Sequence, residues 1–240
     1  MDSMRAEFAK LTPKKTTSQP DHNMPPAPSF DERRSRMLAC GLESSDPTPA
    51  DGFDWYKPSI HRSEAARKDA QRLKSAVESW AQWTPNKPFL TVIGGVGVGK
   101  SELAKTAVWK MTPNWDDRHS YYITAYQIDK TVKDFASAKE SGSVALDPDV
   151  WIERLAMAEW LVIDDVGAGY VDKGWTQSRI ERLIDIRYRA QMPTMVISNL
   201  SPTNLAKEMG ERAYSRLSDV AIGNLLILEN MTDVRQLSKR

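Results

Sequence analysis

The sequence predicts an α/β protein in which a parallel sheet is covered by helices on both faces. Three observations carry this prediction. Short, continuous apolar runs recur between residues 88 and 229, as strands buried on both faces require. Stretches with helical apolar spacing separate those runs. One strand-to-helix junction is the glycine loop Gly94-Gly95-Val96-Gly97-Val98-Gly99-Lys100-Ser101, which fits G-x-x-x-x-G-K-[ST].

Residues 1–50 hold half of the fourteen prolines, with Ser, Thr and Asp around them. Such a composition buries little apolar surface, so this stretch is expected to be a flexible arm, with the folded domain running over 51–240. Two short helical pieces interrupt the arm. Met4, Phe8 and Leu11 line up at helical spacing. Ser29 and Glu32 form a capping box for the second piece, which Gly41 stops. That piece carries Arg33, Arg34 and Arg36 beside Phe30, Met37 and Leu38, a face suited to docking a partner, with a solvated tail of no role as the alternative.

From Arg62 to Trp83 the spacing of Ala66, Ala70, Leu73, Val77 and Trp80 predicts a helix. Its Arg67, Lys68, Arg72 and Lys74 read as a solvated face, with contact to DNA phosphate as the alternative. Strand 88–93 leads into the glycine loop, and the segment from Glu102 to Trp109 continues as a helix. A strand at Tyr121–Ala125 follows, with helical segments through the 130s and around Val150–Ala158. Next come a strand at Trp160–Asp164, a helix at Gln177–Ala190 and a strand at Thr194–Ser198. Ser201-Pro202 has the chemistry of a helix start, opening two short helices over about 202–218. Leu225–Glu229 makes the last strand.

The composition narrows the function classes. With 33 basic and 32 acidic residues the net charge is +1, so any nucleic-acid contact must be a local patch. Cys40 is the only cysteine and the three histidines are scattered, which removes intrachain disulfides and a cysteine-cluster zinc site. No apolar run approaches twenty residues and no signal-peptide pattern opens the chain, so a cytoplasmic protein with no membrane partner is expected.

The glycine loop sets the chemistry. Its backbone N–H groups turn inward around a phosphate at the positive end of a helix. Gly94 to Ser101, with Glu102 after them, are therefore the expected nucleotide-binding set. Lys100 would reach the β- and γ-phosphates of a nucleoside triphosphate, and Ser101 would ligate Mg²⁺. The run Trp160-Leu161-Val162-Ile163 ends in Asp164-Asp165: a buried strand delivering Asp164 to the Mg²⁺ shell and Asp165 to the attacking water. Asn199, at the end of the 194–198 strand, would hydrogen-bond the γ-phosphate or the water. In Gly210-Glu211-Arg212-Ala213-Tyr214-Ser215-Arg216-Leu217, an arginine is available to stabilise transition-state charge.

The stretches GGVGVGKSELAKTAV, WLVIDDVGAG, RYRAQMPTMVISNLSPTNLAKEMGERAYSRL and LLILENMTDVRQL together resemble the DnaC/IstB branch of the AAA+ ATPases. The resemblance covers about residues 50–240. It implies Asn199 as a sensor residue, Arg216 as an arginine finger acting on a neighbouring subunit, and Arg235 as a sensor arginine near the γ-phosphate. It also implies a homo-oligomer when active, and DNA, single-stranded in the helicase-loader branch, as a partner. One departure stands out: the family's acidic pair is Asp-Glu, here Asp164-Asp165, which bears on hydrolysis and not on binding. The SNLSPTNLAKEMGERAYSRL stretch is closer to the branch that loads a replicative DNA helicase than to the transposase-helper branch, which is the alternative. A nucleotide-gated interaction module with little hydrolysis is a further alternative. A small-molecule kinase fits less well, because the paired acids and late arginines have no acceptor pocket beside them.

Overall fold

A computed structural model describes residues 30–43, 46, 52–82, 87–112, 120–141, 147–167 and 173–237. The chain divides into a first unit, residues 1–33, and a compact body from Arg34 to Arg240. Of the first unit only the opening turn of a helix is described, and the expected helical piece at Met4, Phe8 and Leu11 lies outside the described residues.

In chain order the described elements are α1 (Phe30–Ala39), α2 (Glu64–Trp80), β1 (Phe89–Gly94), α3 (Lys100–Met111), β2 (Ser120–Thr124), α4 (Ala125–Ser141) and α5 (Pro148–Met157). They continue as β3 (Trp160–Asp164), α6 (Lys173–Ala190), β4 (Thr194–Ser198), α7 (Pro202–Met209), α8 (Glu211–Leu217), β5 (Gly223–Leu228) and α9 (Val234–Leu237). The strands form one sheet in the order β2-β3-β4-β1-β5. Every pairing is parallel. Ser201 accepts from Asn204 N with Pro202 just inside α7, as the sequence indicated, and Ser63, which the sequence reading did not single out, caps α2 by accepting from Ala66 N.

Alternating strand residues feed two cores, one on each face of the sheet. Leu90, Val92, Val162, Met195 and Ile197 pack with α2 and α3. Phe89, Ile93, Leu161, Ile163 and Val196 pack with α4 to α8. Each such fully buried aliphatic side chain contributes about 1.5–3 kcal/mol. Both faces are therefore covered, as expected.

Boundaries moved at several elements. Ala125, expected to end a strand, begins α4, and α6 starts at Lys173 ahead of Gln177. The larger difference is at the N-terminal side. Met37, Cys40 and Leu42 are buried in the core beside α3, while Leu38 alone of the described docking-face apolar residues is exposed. The described residues between 34 and 56 contact α3 and the glycine loop. Arg36 stacks over Trp109 at 4.4 Å, Asp46 accepts from Lys105 at 2.6 Å, and Trp55 donates to Thr106 at 3.2 Å. The Tyr56 hydroxyl donates to Val98 O at 3.1 Å. The physical reason is that β2 is an edge strand, and Cys40 O accepts the Tyr122 N–H that would otherwise go unpaired.

Candidate nucleotide-binding site

The site is built from strand ends. β1 lies between β4 and β5, and its last residues enter the glycine loop. The register sets Ile93 beside Ser198 and Thr124 beside Asp164. Residues 94–95, 164–165 and 199 consequently share the C-terminal edge of the sheet, where α/β folds bind ligands.

The loop needs its glycines at two places. Gly97 has φ +74, and a Cβ there would fall 2.0 Å from Asp233 Oδ1. Gly99 has φ +92, and a Cβ there would meet the Tyr56 ring at 2.7 Å. Val234 N donates to Gly97 O at 3.0 Å, so the chain after β5 rests on the loop.

Lys100 is only 5% exposed. Its ammonium donates to Gly94 O at 2.7 Å, Gly95 O at 2.6 Å and Asn199 Oδ1 at 2.8 Å. Burial draws its pKa down to about 8, against the opposing pull of Asp164 and Asp165. The Asn199 amide is used at both ends, because its Nδ2 donates to Asp165 Oδ1 at 2.8 Å. Asp165 has φ +57, a left-handed conformation that aspartate tolerates better than most side chains. Its N–H donates to Asp164 Oδ1 at 2.7 Å, and the Tyr122 hydroxyl donates to Asp164 Oδ2 at 2.5 Å. Burial, then the adjacent Asp164, pushes the Tyr122 phenol up, so it stays a donor.

One continuous chain of hydrogen bonds thus links Lys100, Asn199, Asp165, Asp164 and Tyr122. Ser101 follows in the first turn of α3, half-buried. A hydroxyl and a carboxylate are oxygen donors of the kind that Mg²⁺ takes when phosphates complete its shell. Ser101 and Asp164 are the residues that fit that ion.

A five-stranded parallel sheet with the glycine loop after its β1 strand, paired acids after β3 and an amide after β4 decides the fold. This is the AAA+ fold. Neither a family model nor a curated protein matches the chain by sequence. Solved structures match by shape. A crystal structure of the DnaC helicase loader has a TM-score of 0.52 at 18% identity, covering 74% of this chain and 99% of that one. A crystal structure of DnaI has 0.51 at 16%, covering 77% and 93%. AMPPCP-bound DnaA from Aquifex aeolicus has 0.53 at 19%, covering 79% of this chain and about half, 54%, of DnaA.

Two sequence-derived arginines are not drawn into the cluster. Arg216 is ion-paired to Asp185 of α6 and lies over the Tyr188 ring at 5.6 Å. Its Nη1 is buried with no hydrogen-bond partner among the described residues. Arg235 pairs with Asp233 at 2.7 Å, the same carboxylate that abuts Gly97. Glu102 pairs with Lys105 at 3.6 Å. Sequence reasoning missed Tyr56, Tyr122 and Asp233. Only Tyr56 left a trace, in the aromatic group Phe53, Trp55 and Tyr56 ahead of α2.

Proposed function

We propose that the chain is an ATP-dependent loader or remodeller of a replicative DNA helicase. The observation that carries the nucleotide reading is the placement of Lys100 under the glycine loop, bonded to Asn199 and through it to Asp165. In this reading ATP draws the Lys100 ammonium from two loop carbonyls onto the β- and γ-oxygens. Asn199, released at its oxygen, then faces the γ-phosphate while its amide nitrogen still orients Asp165. Asp165 holds the attacking water and accepts its proton. Ser101 and Asp164 hold Mg²⁺, which supplies neutralisation of the phosphate charge.

Arg216 completes a neighbour's site in an assembled ring or spiral, a role that requires its guanidinium to leave the Asp185 pairing it makes within the chain. DNA is the second partner, single-stranded in this reading. Tyr126 at the start of α4 and Trp175 at the start of α6 are exposed aromatics, 62% and 58%. Lys130 lies one turn beyond Tyr126, and Arg179 stacks at 5.0 Å over Trp175. The Thr176–Asp129 hydrogen bond, 2.8 Å, ties the two helices together. Aromatic faces beside cations are how unpaired bases are held without sequence preference. The likeness in fold to a DnaC helicase loader supports the choice of partner.

The test is ATP turnover with and without single-stranded DNA and a replicative helicase, using Lys100→Ala as the blank. Stimulation by both supports the loader. Stimulation by double-stranded DNA and a transposase instead moves the assignment to a transposition helper. ATP binding without turnover in any mixture leaves a nucleotide-gated interaction module.

A further inference from the structure

We propose that Tyr122 is a positioning residue for Asp164, fixing the carboxylate that holds the divalent cation; this rests on the nucleotide reading above. A carboxylate at a strand end is free to turn about its last bond unless donors fix it. Here both oxygens are engaged, Oδ1 by Asp165 N at 2.7 Å and Oδ2 by the Tyr122 hydroxyl at 2.5 Å. An ionised carboxylate offers about four acceptor sites. Two are therefore taken by the protein and two remain for a cation and its water.

The geometry follows from the sheet. Thr124 lies beside Asp164, so Tyr122, two residues earlier on β2, projects on the same face and its long side chain reaches forward along the strands. The ring is held on its own account. Lys105 Nζ sits 5.5 Å from its centroid, and Lys105 is itself bonded to Asp46 at 2.6 Å. The Tyr122 N–H donates to Cys40 O at 2.9 Å. The residues that pin Tyr122 thus come from the segment contacting α3, which places that segment in contact with the metal-holding carboxylate through a single side chain. A core position facing Val162 needs only an apolar ring or an aliphatic side chain. The phenol hydroxyl is explained by Asp164, since a hydrogen bond to a buried ionised group is about twice as strong as one between neutral groups.

The experiment compares Tyr122→Phe with the wild type, because this change removes one oxygen and keeps the packing. Binding of a fluorescent ATP analogue in EDTA should be unchanged. The affinity of the protein–ATP complex for Mn²⁺, read by electron paramagnetic resonance, should fall about 10–100-fold, the usual cost of losing a partner that orients a metal ligand. The Mg²⁺-dependent part of the ATP-induced rise in melting temperature should shrink with it. In an Asp164→Asn background Tyr122→Phe should change neither reading further, a comparison that holds even if Tyr122→Phe lowers the melting temperature. Mn²⁺ affinity equal to wild type overturns the inference alone. An equal loss in the Asp164→Asn background overturns it too, because Tyr122 would then act through general packing. A wild type whose ATP binding ignores divalent cations overturns the nucleotide reading and this inference together.

Discussion

The two edges of the sheet each bury a cation that has no direct carboxylate partner among the described residues, and they do so in opposite ways. At the C-terminal edge Lys100 donates to two loop carbonyls and one amide. At the N-terminal edge of β4, Arg187 is wholly buried and makes five hydrogen bonds. They go to Thr194 Oγ1 and to the carbonyls of Leu155, Ala156, Ala158 and Pro193. Three of those carbonyls close the end of α5, where a cation meets the negative end of the helix dipole. The rigid guanidinium fork reaches these five acceptors at once through all three of its nitrogens. The flexible ammonium borrows partners that a phosphate would replace. Similar burial therefore goes with a structural pin at one edge and, in the function proposed above, with a poised binding group at the other.

Arg216 falls between these cases, since it is mostly buried, has one acid partner and keeps a donor unpaired. If it belongs with Lys100, Arg216→Ala should lose about 10³–10⁵ in ATP turnover while ATP affinity and melting temperature stay close to wild type. Turnover should return in part when it is mixed with Lys100→Ala, since each subunit supplies what the other lacks. If Arg216 belongs with Arg187, the same variant would instead unfold at lower urea with turnover intact per folded molecule.

Arg187→Met should do what Arg216→Ala should not. Leaving the α5 carbonyls and Thr194 without donors should cost about 3 kcal/mol or more, read from urea unfolding, with nucleotide affinity unchanged in the folded protein. A variant as stable as wild type would mean that water replaces the guanidinium, and the pin would be no pin.

The acidic pair sharpens the C-terminal edge. Asp165→Asn should bind ATP and fail to turn it over, whereas Asp165→Glu should stay within about tenfold of wild type, because general-base contributions of about 10²–10⁴ survive when the carboxylate is kept. Loss of turnover in both would show that the short side chain and its left-handed backbone are required together.

His61 gives the smallest effect. Both ring nitrogens are buried without partners among the described residues, and burial holds the imidazole below its usual 6.5. A lowered folded pKa means stability is fully present above about pH 6.5 and is lost as pH falls through the folded value. His61→Leu should flatten the fall in melting temperature between about pH 7 and 5; an unchanged slope would place the acid sensitivity elsewhere.

The same contrast explains what the sequence made legible. The C-terminal edge is read from local pattern, since a glycine loop, an acid pair and an asparagine each end an apolar run, and a parallel sheet brings strand ends together. The N-terminal edge is not. Nothing in Asp185-Ile186-Arg187-Tyr188-Arg189 says that Arg187 turns inward and Arg189 outward to Asp185, since the choice depends on α5 packing against α6. Met37, Cys40 and Leu42 were hidden for a related reason. Proline-rich surroundings suggested an arm, and only the unpaired edge of β2 gives residues 40–42 a place to dock. Tyr122 needed the register of β2 against β3, which no local pattern carries.

The central claim is that Lys100 is held for a triphosphate. The most direct measurement is calorimetric titration of Mg²⁺-ATP into wild type and Lys100→Ala, with melting curves of both. The account predicts binding in the wild type, none measurable in the variant, and a variant that still shows a cooperative melting transition. Equal affinity for ATP in the two proteins would contradict it.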